Sequence, residues 1–181
     1  MKETFIEIVE LLKTKLEKYD FIPKGKDTFV RKNKDFNRED RIVFSYRKGK
    51  GAGFENTIYI AAIANITFPD VNKEEKIIIK DHLSAYPLIA GSIKHFYDPD
   101  PGYLSIQVDG NTNIDSVAKE IIYYVENGAF KLFEKYKSLG DILHAIDNDD
   151  KNFNDFNKFL DFRNAIRVAT IRYRIDLDFL P

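Results

Sequence analysis

The chain has 181 residues and no cysteine, with 28 basic against 29 acidic residues and a net charge of −1. That balance excludes a histone-like polycation, an acidic tail and a strongly steered polyanion binder. The absence of thiols excludes a disulfide frame, a thiol nucleophile and a thiolate metal site.

At 44% hydrophobic and 14% aromatic, the sequence has enough apolar material to bury a core, so it reads as one α+β domain over 1–181. Positions 1–112 read as the helix-plus-sheet part and 113–181 as the mainly helical part. Glu7, Glu10 and Lys13 deny the start an uncharged apolar leader, and the longest apolar run, 58–64, is too short to span a bilayer. A cytoplasmic protein without a membrane segment is expected.

In chain order, Phe5, Ile8, Val9, Leu12 and Leu16 keep helical spacing and predict an amphipathic helix over 3–19, closed by Pro23 and Gly25. Residues 28–31 and 41–47 are rich in β-branched and aromatic residues and predict strands. The glycine-rich stretch 49–53 reads as a mobile hairpin connection into the longest strand, 57–68. Both alternating sets of that strand are apolar, which predicts a place in the middle of the sheet. Residues 73–85 suit a helix, started by the Asn72 and Glu75 spacing, although Ile77, Ile78 and Ile79 are also good strand material. A strand over 102–108 precedes an Asp109-Gly110-Asn111 turn. The remainder reads as helices: one carrying Val117, Ile121, Tyr124 and Val125, interrupted at Gly128; one capped by Ser138 and Asp141; and a last one from about Phe153 towards Ile175. This order predicts a largely antiparallel sheet of about four to six strands.

Chemical motifs are few. His82, His95 and His144 are far apart, without metal-ligand spacing. The one mixed cluster, His95 with Asp98 and Asp100, could hold a divalent ion or act as acid and base, but its prolines and glycine also make an ordinary turn between two strands. A calcium loop counted from Asp147 fails at Lys151, Asn152 and Lys158. The 48–53 segment leads into a strand, not the helix that a phosphate-binding loop requires, and Gly91-Ser92 lacks the second glycine of a nucleophile elbow. No cofactor, metal or catalytic residue is assigned.

Charge is uneven. Segment 24–50 carries ten basic and four acidic residues, a net of +6, interleaved with Phe29, Phe36, Phe44 and Tyr46. That is the composition of a single-strand nucleic-acid surface, and also of ordinary strands with their charges turned outward. Segment 138–161 has six aspartates against Lys151 and Lys158, a net of −4. Arg163, Arg167 and Arg174 form a stripe on the last helix, to be paired within the fold or to meet an anionic ligand.

The stretch Leu16-Glu-Lys-Tyr-Asp-Phe21-Ile-Pro-Lys24-Gly25, followed by Thr28-Phe29-Val30-Arg31, resembles the opening of an uncharacterised bacterial family, domain of unknown function four-three-zero-four. Tyr124-Val125 and the 133–139 segment look similar to its C-terminal helical part. Asp20 stands where the family pattern has glycine. The resemblance implies a helix-flanked sheet and, for some members, toxin-immunity loci; it implies no catalytic residues.

The sequence is therefore expected to encode a non-catalytic protein-binding domain, an immunity-type inhibitor of a basic, toxin-like partner. Its contact would be the acidic surface Asp147, Asp149, Asp150 and Asp155, although a helix N-terminus favours the same carboxylates for structural reasons. The alternatives are a nucleic-acid-associated module using segment 24–50 and a carboxylate-dependent enzyme.

Overall fold

The computed structural model describes residues 2–79, 87–98, 103–148 and 161–178. It shows an α+β fold: an N-terminal helix, an antiparallel sheet and C-terminal helices. Helix α1, Lys2–Leu16, buries Phe5, Ile8, Val9, Leu12 and Leu16, the stripe that its periodicity sets on one face. A 3-10 turn, Glu17–Tyr19, follows. It closes on Asp20, whose φ of 64° is the left-handed conformation usually given to glycine.

The strands are β1 (Ile22–Pro23), β2 (Thr28–Asn33), β3 (Arg38–Lys48), β4 (Ile58–Thr67), β5 (Ile89–Ser92) and β6 (Ile106–Val108). Their order is β1-β2-β3-β4-β5, with β6 also paired to β4. Ile22 lies opposite Val30, and Ile58, Tyr59 and Ile60 lie opposite Val108, Gln107 and Ile106.

β4 is internal, as expected, but not because both of its faces are covered. Ile58, Ile60, Ala62, Ala64 and Ile66 are buried, whereas Tyr59, Ala61 and Asn65 are half-buried and Ile63 is exposed. Three other expectations are corrected. The strand expected over 102–108 is regular only at 106–108, while residues 103–105 run outside it. The stretch from His95, read as a turn between two strands, begins inside the short helix α3, Ile93–Tyr97, which follows strand β5, a strand the sequence reading did not assign. Gly128 does not interrupt its helix: α4 (Ile114–Tyr124) continues through a π turn, Val125–Ala129, into α5 (Phe130–Lys135).

The chain forms two compact units. The first comprises Met1–Arg31, Arg41–Ala64 and Gly91–Leu132. In it α1 packs on α4, and α3 packs on the π turn. The π turn is where glycine is needed, because a Cβ on Gly128 would stand 2.1 Å from the Ile93 carbonyl oxygen. Asn127 uses its side-chain amide to bond the Tyr123 carbonyl at 2.8 Å, which satisfies a group in the widened turn. Aromatic contacts line the unit: Phe29 meets Phe44 edge-on, and the Arg31 guanidinium lies over the rings of Phe21 and Phe130.

The second unit comprises Lys32–Asp40, Asn65–Ala90 and Phe133–Pro181. Its helices are α2 (Pro69–Ile79), α6 (Leu139–Asp147) and α7 (Asp161–Asp178), with α7 packed against both others. α2 covers 73–79 of the helix expected over 73–85; positions 80–85 lie outside the described residues. α6 begins with the expected cap: the Ser138 hydroxyl accepts from the Asp141 N–H while the Asp141 carboxylate accepts from the Ser138 N–H. The helix expected from Phe153 is described from Asp161 onward.

This unit also corrects the outward placement of charge in the basic segment. Arg38 is 4% exposed and Asp40 is fully buried. Both occupy the same alternating set of β3 as Ile42 and Phe44, so strand geometry turns them inward. Their burial is tolerable because Arg38 Nε and Nη2 reach the two Asp40 carboxylate oxygens at 2.8 and 3.0 Å. Nη1 donates to the carbonyls of Phe133 and Tyr136 at 2.9 and 2.8 Å, at the open end of α5.

Candidate functional site

Of the acidic residues singled out from the sequence, Asp147 is the last residue of α6. A carboxylate there meets the negative end of the helix dipole. Arg172 of α7 compensates, with its Nη2 2.8 Å from Asp147 Oδ1. Asp149, Asp150 and Asp155 lie outside the described residues. Within the arginine stripe, Arg174 pairs inside its unit with Asp70 at 2.6 Å and with Glu74 at 3.2 Å. Arg163 and Arg167 side chains lie outside what the structure describes.

His95 sits on α3, where its ring meets Phe96 edge-on, and Asp98 is the residue that closes that helix. Residues 95–97 are thus helical rather than part of a turn, and 99–102 lie outside the described residues. Asp100 lies outside the described residues, as does His82. Among the described residues, no group of three or more His, Asp or Glu is placed to hold a metal ion.

Two surfaces of the first unit were not anticipated. One is a tyrosine cluster: the rings of Tyr97, Tyr123 and Tyr124 stand at 71–75° to one another, with centroids 5.4–5.8 Å apart. The Tyr97 and Tyr123 hydroxyls bond each other at 2.7 Å, and Lys131 Nζ lies 5.8 Å from the Tyr97 ring. The bond from Tyr97, with smaller contributions from desolvation and from repulsion between phenolates, raises the Tyr123 pKa above 10.0. These groups use one another's bonding capacity and fasten α3 to α4.

The second is the outward face of the β3–β4 hairpin. Its register follows from the Gly49 N–H, which donates to the Thr57 carbonyl at 2.8 Å. Counted back along both strands, Arg47 faces Tyr59, Ser45 faces Ala61 and Val43 faces Ile63. The Arg47 guanidinium lies 5.1 Å from the Tyr59 ring centroid, as that register requires. Gln107 of β6 extends the face beside Tyr59. Ile63 is 40% exposed, Val43 and Ala61 are half-buried, and Ser45, Arg47 and Gln107 are exposed. An aliphatic centre with a polar rim is thus open to solvent.

No family model, no curated protein and no solved structure matches the chain, so the functional reading rests on these surfaces. No helix among the described residues is long and apolar enough to cross a membrane.

Proposed function

We propose that the chain is a non-catalytic protein-binding domain and that the outward face of β3 and β4 is its contact surface. The observation that carries this reading is the uncovered Ile63, at 40% exposure, beside Val43 and Ala61 on a regular strand pair. An apolar centre ringed by polar groups is the anatomy of a protein interface, and burying it on a partner removes aliphatic surface from water. The tyrosine cluster is the weaker candidate because its hydroxyls and ring faces already serve one another.

An immunity-type inhibitor, the kind of protein implied by the sequence resemblance, is such a domain: it covers a toxin's working surface without chemistry of its own. In that form the acidic stretch supplies a second contact, toward a basic part of the partner. Because Arg172 already balances Asp147, the role falls mainly on Asp149, Asp150 and Asp155.

The test uses the full chain as bait, with melting measured alongside. The wild type should retain a stoichiometric protein partner, and Ile63→Asp should release it while its melting curve still shows a folded chain, with a modest fall from the loss of a strand-favouring aliphatic residue. A wild-type chain that retains none, or an Ile63→Asp chain that retains it fully, overturns the reading. The triple change Asp147→Asn, Asp149→Asn, Asp150→Asn should slow association while leaving folding unchanged. If melting falls and capture stays the same, the acidic stretch serves the fold alone.

A further inference from the structure

We infer that the tip of the β3–β4 hairpin is a binding site for single-stranded nucleic acid, with Phe54 and Tyr59 as its stacking platform and Arg47, Lys48 and Lys50 as its phosphate contacts. This inference goes beyond the protein-binding reading and does not use the aliphatic centre at Val43 and Ile63.

Its ground is the way the hairpin closes. The Gly49 N–H bonds the Thr57 carbonyl, and alternation puts both residues on the side that carries Arg47 and Tyr59. A Cβ on Gly49 would stand 2.8 Å from Phe54 Cβ and 3.3 Å from Thr57 Cβ, so Phe54 folds back over this pair on that same side. Thr57 is accordingly only 4% exposed. The backbone of Phe54 is held twice: its N–H donates to the Gly51 carbonyl at 3.2 Å, and its carbonyl accepts from the Thr57 N–H at 3.1 Å. Phe54 is nevertheless 40% exposed. A tied turn thus presents an aromatic ring to solvent, and Tyr59 follows about 7 Å beyond Thr57 along β4.

Charge at this end of the hairpin is positive. Arg47, Lys48 and Lys50 are exposed, and none pairs with a carboxylate among the described residues. Of the adjoining carboxylates, Glu55 accepts from the Gly53 N–H at 3.0 Å, and Asp109, just past β6, accepts from the Asn111 N–H and the Thr112 hydroxyl, both at 2.9 Å. The Arg47 guanidinium lies over the Tyr59 ring, and Gln107 beside Tyr59 adds an amide for base edges. Bases stack on rings and guanidinium planes while their phosphates meet cations, so this set suits an extended strand. A duplex keeps its bases stacked on one another and offers no free ring face. An acidic peptide satisfies the cations but leaves the rings without a planar partner. A bilayer would meet the polar Glu55 and Asn56 and the tip backbone before a ring folded onto the sheet face.

The chain has no tryptophan, so Phe54→Trp in the full-length chain gives a single reporter at the site. Oligothymidylate should quench its emission saturably as a base stacks on the indole. Three phosphate contacts predict that log K falls with log salt at a slope of about −2. With dye-labelled oligothymidylate followed by anisotropy, Phe54→Ala should bind about tenfold more weakly than the wild type. Lys48→Ala with Lys50→Ala should weaken binding at low salt and flatten the slope to about −0.7. Lys119→Ala, which removes an exposed lysine of α4, should change neither. No saturable quenching, or equal affinity with and without Phe54, overturns the inference. Equal binding of a duplex of the same length overturns the stacking platform. Polyglutamate that competes as well as the oligonucleotide overturns it in favour of an acidic chain. A blue shift on phosphatidylserine vesicles, without quenching by oligothymidylate, overturns it in favour of a bilayer. The protein-binding reading fails separately, when Ile63→Asp leaves capture of the partner unchanged.

Discussion

Asp40 has no exposure to solvent and holds both of its carboxylate oxygens against Arg38, which in turn secures two backbone carbonyls. Removing one member leaves the other charged and buried. Asp40→Ala should therefore cost about 3–5 kcal/mol in urea unfolding. Replacing both residues by aliphatic ones, Arg38→Met with Asp40→Leu, should restore much of that loss; a double change as damaging as the single one would contradict this account. The pair was hidden in the sequence because segment 24–50 reads as one charged stretch. Only the shared parity of 38, 40, 42 and 44 on β3 signals that two of its charges turn inward.

A gentler electrostatic effect belongs to Asp109. The Asn111 N–H and then the Thr112 hydroxyl donate to its carboxylate, holding its pKa below the ordinary 3.8. A depressed folded value means that its stabilising contribution is present above pH 3.8 and is lost as pH falls through the folded pKa. In melting curves from pH 5 downward, Asp109→Asn should lose this component of the acid sensitivity, and an unchanged slope would refute the assignment.

At the scale of elements, the periodic segments were legible from sequence and the irregular ones were not. α1 buries the five residues its spacing selects, and the Ser138–Asp141 box starts α6 where the residue types place it. β5 and α3 escaped notice because 87–98 is short, has prolines and a histidine close by, and shows no sustained period. Gly128 misled for another reason: glycine weakens a helix by propensity, but here it allows the π turn to pass against the α3 backbone. Gly128→Ala should therefore destabilise by roughly 1–3 kcal/mol or more, since the obstacle is a carbonyl rather than a yielding side chain. Gly110→Ala is the control, because a Cβ there meets nothing within 4 Å. If the two substitutions lower the melting temperature equally, the close approach at Gly128 is not what selects glycine.

For the whole molecule, the α+β class followed from the order of periods along the chain, with helical spacing at both ends and strand alternation between them. The candidate surface was less legible. Apolar residues on both sets of β4 pointed to the middle of the sheet, yet whether a second layer packs on the outer set depends on where the helices go, which alternation does not encode. The acidic stretch was visible as composition, but the Arg172 contact that balances Asp147 joins α6 to α7, and such pairings are not written in local sequence. Within this account the molecule acts by presenting the open β3–β4 face to another protein.

Hydroxyl-radical footprinting of the full chain, free and in complex with its captured partner, tests that claim most directly. Binding should protect Tyr59, Val43 and Ile63 from oxidation, while Ile77 and Tyr173, exposed in the second unit, keep their free-state rates. Unchanged oxidation at Ile63, with protection confined to the second unit, would contradict it.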